Sequence, residues 1–139
     1  MPDAAAPTEV RPIISATAAQ LFVADIKASC EFFVEKLGFS VVFIYGVPPF
    51  YAQVRRDCGL LNLRHMDRPV IDPALRDRES LLSADMGLDT TEAIKQLFLE
   101  FQAEGVDFVQ TLRREPWGAR TFIVKDPDGN LLLFAGPAE

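Results

Sequence analysis

From residue 14 onward the chain alternates between apolar segments of two different periods. Residues 14–24 (IISATAAQLFV) read as a strand, and Asp25 can cap a helix after it, because a short carboxylate accepts from the free N–H groups of a first turn. Ile26, Cys30, Phe33, Val34 and Leu37 then share one helical face, and Gly38 supplies the left-handed residue that ends the helix. Three strands follow. They are SVVFIY (40–45), FYAQVRR (50–56) after the Gly46-Val47-Pro48-Pro49 break, and LLNLRHM (60–66) after the Asp57-Cys58-Gly59 turn. The first half is therefore expected to run β-α-β-β-β.

Residues 67–78 (DRPVIDPALRDR) are polar, carry two prolines and read as a connecting segment. The order then recurs. LLSAD (81–85) echoes LFVAD (21–25), and Asp89 with Glu92 forms a capping-box pattern for a helix burying Ala93, Ile94, Leu97, Phe98 and Phe101, closed by Gly105. VDFVQ (106–110) and LLLFA (131–135) read as strands. The segments VRRDCGLLNL (54–63) and VKDPDGNLLLF (124–134) share a Val, an acidic turn, a Gly and a leucine strand. Two βαβββ units are expected, 13–66 and 79–136, within one domain (13–139) behind a flexible tail, 1–12. Any two strand-helix-strand units look somewhat alike, but here caps, turns and order coincide together.

Composition narrows the function. A chain of 139 residues fits one domain and typically buries roughly 68–70% of its unfolded surface. Apolar residues make up 49%, including 11 Phe, which suits an ordinary globular core. Net charge is −6 and no Lys/Arg run exceeds two residues, so the basic face that nucleic acid or anionic lipid requires is missing. Cys30 and Cys58 form neither a CxxC pair nor a disulfide framework and read as buried thiols in a reducing compartment. Residues 1–12 lack a signal-peptide pattern, and no apolar run approaches the ~20 residues that span a bilayer. The expectation is a cytoplasmic protein with no membrane or nucleic-acid partner.

Three stretches carry a family resemblance: LFVADIKASCEFFVEKLGF (21–39), YAQVRRDCGLLNL (51–63) and PWGARTFIVKDPDGNLLLF (116–134). With the doubled βαβββ order they resemble the vicinal oxygen chelate superfamily, of the glyoxalase/bleomycin-resistance/dihydroxybiphenyl-dioxygenase type. The resemblance implies an α+β fold in which two βαβββ modules form a curved mixed sheet around a cup. Metal-dependent members place His, Gln or Glu ligands on four strands around that cup, where a divalent cation polarises substrate oxygens or binds dioxygen. Carried onto this chain, those positions are Ala18, Asn62, one of Arg78, Glu79 or Ser80, and Leu133 in place of an expected Glu.

A methyl, an amide and an isobutyl group do not hold a catalytic cation, so no metal, cofactor or catalytic residue is expected. The alternative is a metal-dependent lyase, isomerase or extradiol-type dioxygenase using an atypical set from Gln20, Glu79 and His65, the sole histidine. A single His at a strand end is more often hydrogen-bonded or exposed than a ligand. Spacing offers no paired carboxylates, no nucleophile beside a base and no Gly-rich phosphate loop.

Without ligands a concave pocket remains. Strand alternation puts Ala18, Gln20, Phe22, Leu60, Asn62, Arg64, Leu131 and Leu133 on the cup side, and Leu61, Leu63, Leu132 and Phe134 under the helices. The candidate ligand-binding set is Trp117, Gly118, Asn62, Gln20, Phe50, Tyr51, Phe22, Leu133 and Arg120. Trp117 either stacks on a guest, worth about 0.5–2 kcal/mol beyond burial, or covers the rim. Gly118 either admits a ligand to the backbone or only permits a turn. Phe50 and Tyr51 form an opposite jaw or belong to the sheet, and Arg120 binds a carboxylate or pairs with Glu115 or Asp126. Bleomycin-resistance proteins are acidic, metal-free members that bind a cationic drug between the subunits of a homodimer. The resemblance to them implies a homodimer that sequesters a small organic molecule, a cationic antibiotic among the candidates.

Overall fold

The structure, a computed structural model, describes residues 9–139; the first part of the expected tail, 1–8, lies outside the described residues. Strand β1 (Ala18–Val23) leads into helix α1 (Ile26–Glu35), whose Ala28 N–H donates to Asp25 Oδ1 at 3.0 Å. Strands β2 (Ser40–Tyr45), β3 (Tyr51–Arg56) and β4 (Gly59–His65) complete the first half. The first strand begins at Ala18 rather than at residue 14, because its pairing with β4 ends at Ala18–Leu60, where the partner enters its turn. Phe50 lies outside β3 because its N–H closes the hairpin onto Tyr45 O at 3.0 Å.

The stretch expected to be a plain connector contains helix α2 (Pro73–Glu79). Asp72 caps it by accepting from Ala74 N–H at 3.0 Å, and Pro73 occupies the first turn, where its missing N–H costs nothing. The second half comprises β5 (Leu82–Gly87), α3 (Thr91–Ala103), β6 (Phe108–Arg114), β7 (Arg120–Lys125) and β8 (Leu131–Ala135). The cap of α3 is Thr90, which accepts from Ala93 N–H at 3.0 Å, in place of the expected Asp89. Glu92 accepts from Gln96 one turn further on, so the capping box does not form. The strand expected at 106–110 starts at Phe108 because the Val106 N–H is spent on Phe101 O at the helix end.

The two halves share one topology. Their sheets run β1-β4-β3-β2 and β5-β8-β7-β6, each with its first pair parallel and the others antiparallel. They are two four-stranded sheets, with the β1 and β5 edges side by side and no hydrogen-bonded ladder between them. Leu21 pairs with Leu63 as Met86 pairs with Phe134, and the caps Asp25 and Thr90 stand equally far on. LFVAD (21–25) therefore corresponds to MGLDT (86–90), and the lettered match to LLSAD is out of register.

On the helix side of the first sheet Ala52, Val54, Leu61 and Leu63 are buried; on the second, Phe122, Val124, Leu132 and Phe134. These join α1 and α3 side chains in one hydrophobic cluster that spans both halves. Four phenyl rings of the second half mesh around Phe122, which stacks on Phe134 at 5.1 Å. Arg56 clamps the halves with a two-pronged pair to Glu100 and a third bond to Leu37 O. Cys30 is buried, which pushes its thiol up, whereas Cys58 is exposed at its turn and not buried as expected. Among the described residues, no helix is long and apolar enough to cross a membrane.

Candidate functional site

On the face turned away from α1, strand register assembles two rows across the first sheet. Phe22, Arg64, Tyr51 and Tyr45 form one; Gln20, Asn62, Gln53 and Phe43 form the next. Gln53 Nε2 donates to Asn62 Oδ1 at 2.8 Å, and Tyr51 Oη donates to Gln20 Oε1 at 3.3 Å. The Phe43 ring lies against Tyr51, centroids 5.8 Å apart. Each amide in the second row keeps an uncommitted group: among the described residues, Asn62 Nδ2, Gln53 Oε1 and Gln20 Nε2 have no side-chain partner. Arg64, exposed between two aromatic neighbours, makes no ion pair there either.

Beside the β1 end of these rows, at the junction with β5, lies a cavity of about 260 Å3. Gln20 and Phe22 form one wall, Leu82 and Ser83 another, and Met66 to Ile71 with Arg76 the roof. The closing turn of the second half builds the rest. Asp126, buried, accepts from Asp128 N–H (3.0 Å), Asn130 N–H (2.7 Å) and Asn130 Nδ2 (2.9 Å). Asn130 Nδ2 also donates to Phe22 O at 3.2 Å, and Asp128 Oδ1 accepts from Ala24 N–H at 2.8 Å, so the turn clasps the end of β1. Burial pushes the Asp126 carboxyl up to about 6, against hydrogen bonds from Asn130 and Asp128 that act to lower it. A side chain at Gly129, where φ is +84°, would run into the Arg76 guanidinium. Arg76 is held by Asp77 at 3.0 Å, and Asp77 in turn by Lys125 at 3.2 Å; those partners, Arg76 first, pull the Asp77 carboxyl down.

Of the residues singled out in the sequence, Gln20, Phe22, Tyr51 and Asn62 come together on this one wall. Leu133 stands on the corresponding face of the second sheet, beside Ile123. Phe50 sits at the β2–β3 hairpin, its ring edge-on to Tyr45 at 5.4 Å. Trp117, Gly118 and Arg120 lie at the β6–β7 hairpin, on the side of the second sheet farthest from β1. Trp117 is 66% exposed. Gly118 has φ +98°, and the room left by its missing Cβ is taken up by the Glu139 backbone. Arg120 pairs with Glu139 at 2.7 Å, not with Glu115 or Asp126. Gln53 and the roof residues were not among the sequence candidates; alternation counted back across the hairpin from Asn62 points to Gln53, whereas nothing local marks the roof.

The structural register narrows where the four family ligand positions fall. Asn62 corresponds to Leu133, and Ala18 to the irregular start of β5, where Leu82 takes the pairing and Ser83 is the extra residue, so the third position falls at Leu82 or Ser83 and not at Arg78, Glu79 or Ser80. Ser83 Oγ donates to Asn130 Oδ1 at 3.3 Å. Alanine, asparagine, serine and leucine do not fit a divalent metal that needs imidazole or carboxylate donors. Glu79 is on α2, paired with Arg78 at 3.1 Å. Both His65 ring nitrogens are engaged, with Ala24 O at 2.9 Å and Asp67 at 3.0 Å. Among the described residues no three His, Cys, Asp or Glu side chains converge.

The fold agrees with what the chain resembles. Solved structures similar to it include a glyoxalase/bleomycin resistance protein/dioxygenase from Alicyclobacillus acidocaldarius, at 20% identity and TM-score 0.74, covering 90% of this chain and 92% of that one. The bleomycin-binding protein from bleomycin-producing Streptomyces verticillus, solved with copper(II)-bleomycin, is 24% identical with TM-score 0.68, covering 91% of this chain and 99% of that one. TioX from Micromonospora sp. ML1 is 21% identical with TM-score 0.66, covering 88% and 98% respectively. At these identities the likeness is one of fold. No curated protein matches the chain. Residues 14–134, both βαβββ halves, match the family description itself, and the chain therefore belongs to the Glyoxalase/Bleomycin resistance protein/Dioxygenase superfamily.

Proposed function

We propose that this protein binds a small organic molecule against the concave wall of its first sheet and acts by sequestering it, without a metal. The observation that carries this reading is the Gln20–Asn62–Gln53 row, with uncommitted hydrogen-bonding groups beside aromatic rings and next to a cavity. Sites for small molecules combine apolar walls with a few placed polar groups in this way. A cavity of about 260 Å3 takes a fragment-sized part of a guest, and the open rows take the rest. The bleomycin-binding protein among the similar structures supports a binding role, as does the lack of fitting donors at the four ligand positions.

Thermal-shift screening with aromatic natural products, glycopeptide antibiotics and divalent metals tests the reading, since a ligand raises apparent stability by mass action. A stabilising organic compound is expected. A stoichiometric divalent metal in protein purified without added metal would overturn it in favour of the metal-dependent enzyme.

The same reading includes a homodimer in the cytoplasm. Every residue of β2 is exposed, Val41, Val42, Phe43, Ile44 and Tyr45 among them, and it forms the free edge of its sheet. An apolar edge strand of this kind is an association hazard unless covered. Sedimentation is expected to give a dimer, and a monomer at micromolar concentration would remove that part. The unpaired Cys30 and Cys58 support a reducing compartment.

A further inference from the structure

Resting on that reading of the concave wall, we propose that the guest is a planar, largely apolar molecule bearing a carboxylate, and that Arg64 is the residue that receives it. In register Arg64 lies between Phe22 on β1 and Tyr51 on β3, with Asn62 beyond it along its own strand. None of these neighbours is acidic. Among the described residues, Arg64 has no ion pair and no side-chain hydrogen bond.

The fold does not require a cation at this place. The corresponding residue of the second half is Ala135, which pairs with Thr121 as Arg64 pairs with Tyr51. The two strands make the same ladder with a methyl group and with a guanidinium. A free guanidinium between two rings, one step from two amides, matches a carboxylate carried on an aromatic frame: its planar fork grips both carboxylate oxygens.

The net charge of −6 points the other way, toward a cationic guest. It is spread over the surface, however, and exposed charges beyond about 8 Å are largely screened at physiological salt. A charge in contact outweighs it. Two acidic groups at the end of β1 and β4 are committed elsewhere: Asp67 to His65 and Asp128 to the Ala24 N–H. Asp85, exposed on β5, is the acid that faces the same side from the second sheet, in the place corresponding to Gln20.

Calorimetric titration of the whole chain with 2-naphthoate, 2-naphthamide and 2-naphthylmethylammonium tests the inference. The carboxylate is expected to bind most tightly and the ammonium least. Arg64→Gln is expected to weaken naphthoate roughly 10- to 100-fold and to leave naphthamide unchanged, with an unaltered melting temperature showing that the variant is folded. Added salt is expected to weaken naphthoate alone. Tighter binding of the ammonium, or unchanged naphthoate affinity in Arg64→Gln, overturns the carboxylate and leaves the binding reading standing. No binding of any of the three overturns the planar carboxylate guest, while the binding reading itself stands or falls on the thermal-shift screen.

Discussion

The two concave walls are built on one ladder and differ almost entirely in what they display. Position by position, Phe22, Arg64 and Tyr51 of the first sheet stand where the second has Gly87, Ala135 and Thr121, and Gln20, Asn62 and Gln53 where it has Asp85, Leu133 and Ile123. The polar groups of the second wall are largely used up internally: Gln110 donates to Thr121, Thr121 to Glu115, and Glu115 pairs with Arg113. Those of the first keep open valences. A duplicated fold needs its helix-facing side in both copies, so the concave side is where the copies are free to diverge, and our proposal places recognition in the half with unsatisfied groups.

The helix sides differ as well, and there the expected effects are largest. Ala52 of β3 corresponds to Phe122 of β7, both fully buried. Phe122→Ala makes the second half resemble the first and leaves a void among Phe98, Phe101, Phe108 and Phe134. A loss of about 3–5 kcal/mol is expected in urea unfolding. A loss under about 1 kcal/mol would mean that the two helix sides are interchangeable.

The closing turns give the next contrast. Asp57 of the first turn is exposed with φ +52°, whereas Asp126 of the second is buried among three donors. With its folded value raised to about 6 from 3.8, Asp126 takes up a proton in the native state before it would in the unfolded chain. This group therefore adds stability as pH falls through 6 toward 3.8, and that contribution is lost as pH rises again. The span corresponds to about 3 kcal/mol. Asp77 and Glu139, whose carboxyls are pulled down by hydrogen bonds, from Arg76 and Lys125 to the first and from Thr91 and Arg120 to the second, work in the opposite sense, so the wild-type profile mixes both. Comparing wild type with Asp126→Asn isolates the group: wild type is expected to gain on the variant between about pH 7 and about pH 4.5. Parallel profiles would show that the carboxylate is stably ionised by its hydrogen bonds.

A smaller effect is expected where the halves are clamped. Arg56 and Glu100 are both partly exposed, and a double-mutant cycle should return a coupling of about 1 kcal/mol or less, falling with salt. A coupling well above that would make the clamp, and not the shared core, the main tie between the halves.

Much of this contrast was readable in the sequence, because strand alternation depends on little besides parity. Leu61, Leu63, Leu132 and Phe134 are under the helices as expected, and β2 and β8 have the expected ends. The repeat was readable too, but its register was not. LLSAD matches LFVAD by letters, but the ladder pairs put the structural match five residues later, at Met86–Thr90. The cap accordingly falls on Thr90 and not Asp89, and the third ligand position on the start of β5, at Leu82 or Ser83. Two prolines, Pro69 before helix α2 and Pro73 at its first position, disguise it as a connector, although Asp72-Pro73 is a cap and first-turn pair. The cavity roof depends on where that helix lands, which no local pattern encodes.

The smallest stability change is expected from the substitution that erases the contrast. Gln53→Ile with Asn62→Leu gives the first wall the residues of the second, Ile123 and Leu133. Removing both partners of the 2.8 Å Gln53–Asn62 bond leaves neither group stranded, so the double variant should unfold within about 0.5 kcal/mol of wild type. Asn62→Leu alone leaves the Gln53 amide without its acceptor and should cost about 1 kcal/mol more than the pair. Binding should respond in the opposite order of severity: the double variant is expected to lose 2-naphthamide, which depends on the amides, and to keep only the charge contact of 2-naphthoate with Arg64. If the double variant binds naphthamide as wild type does, the amide row is part of the scaffold, and recognition has to be sought on the second sheet, at Trp117 and its hairpin.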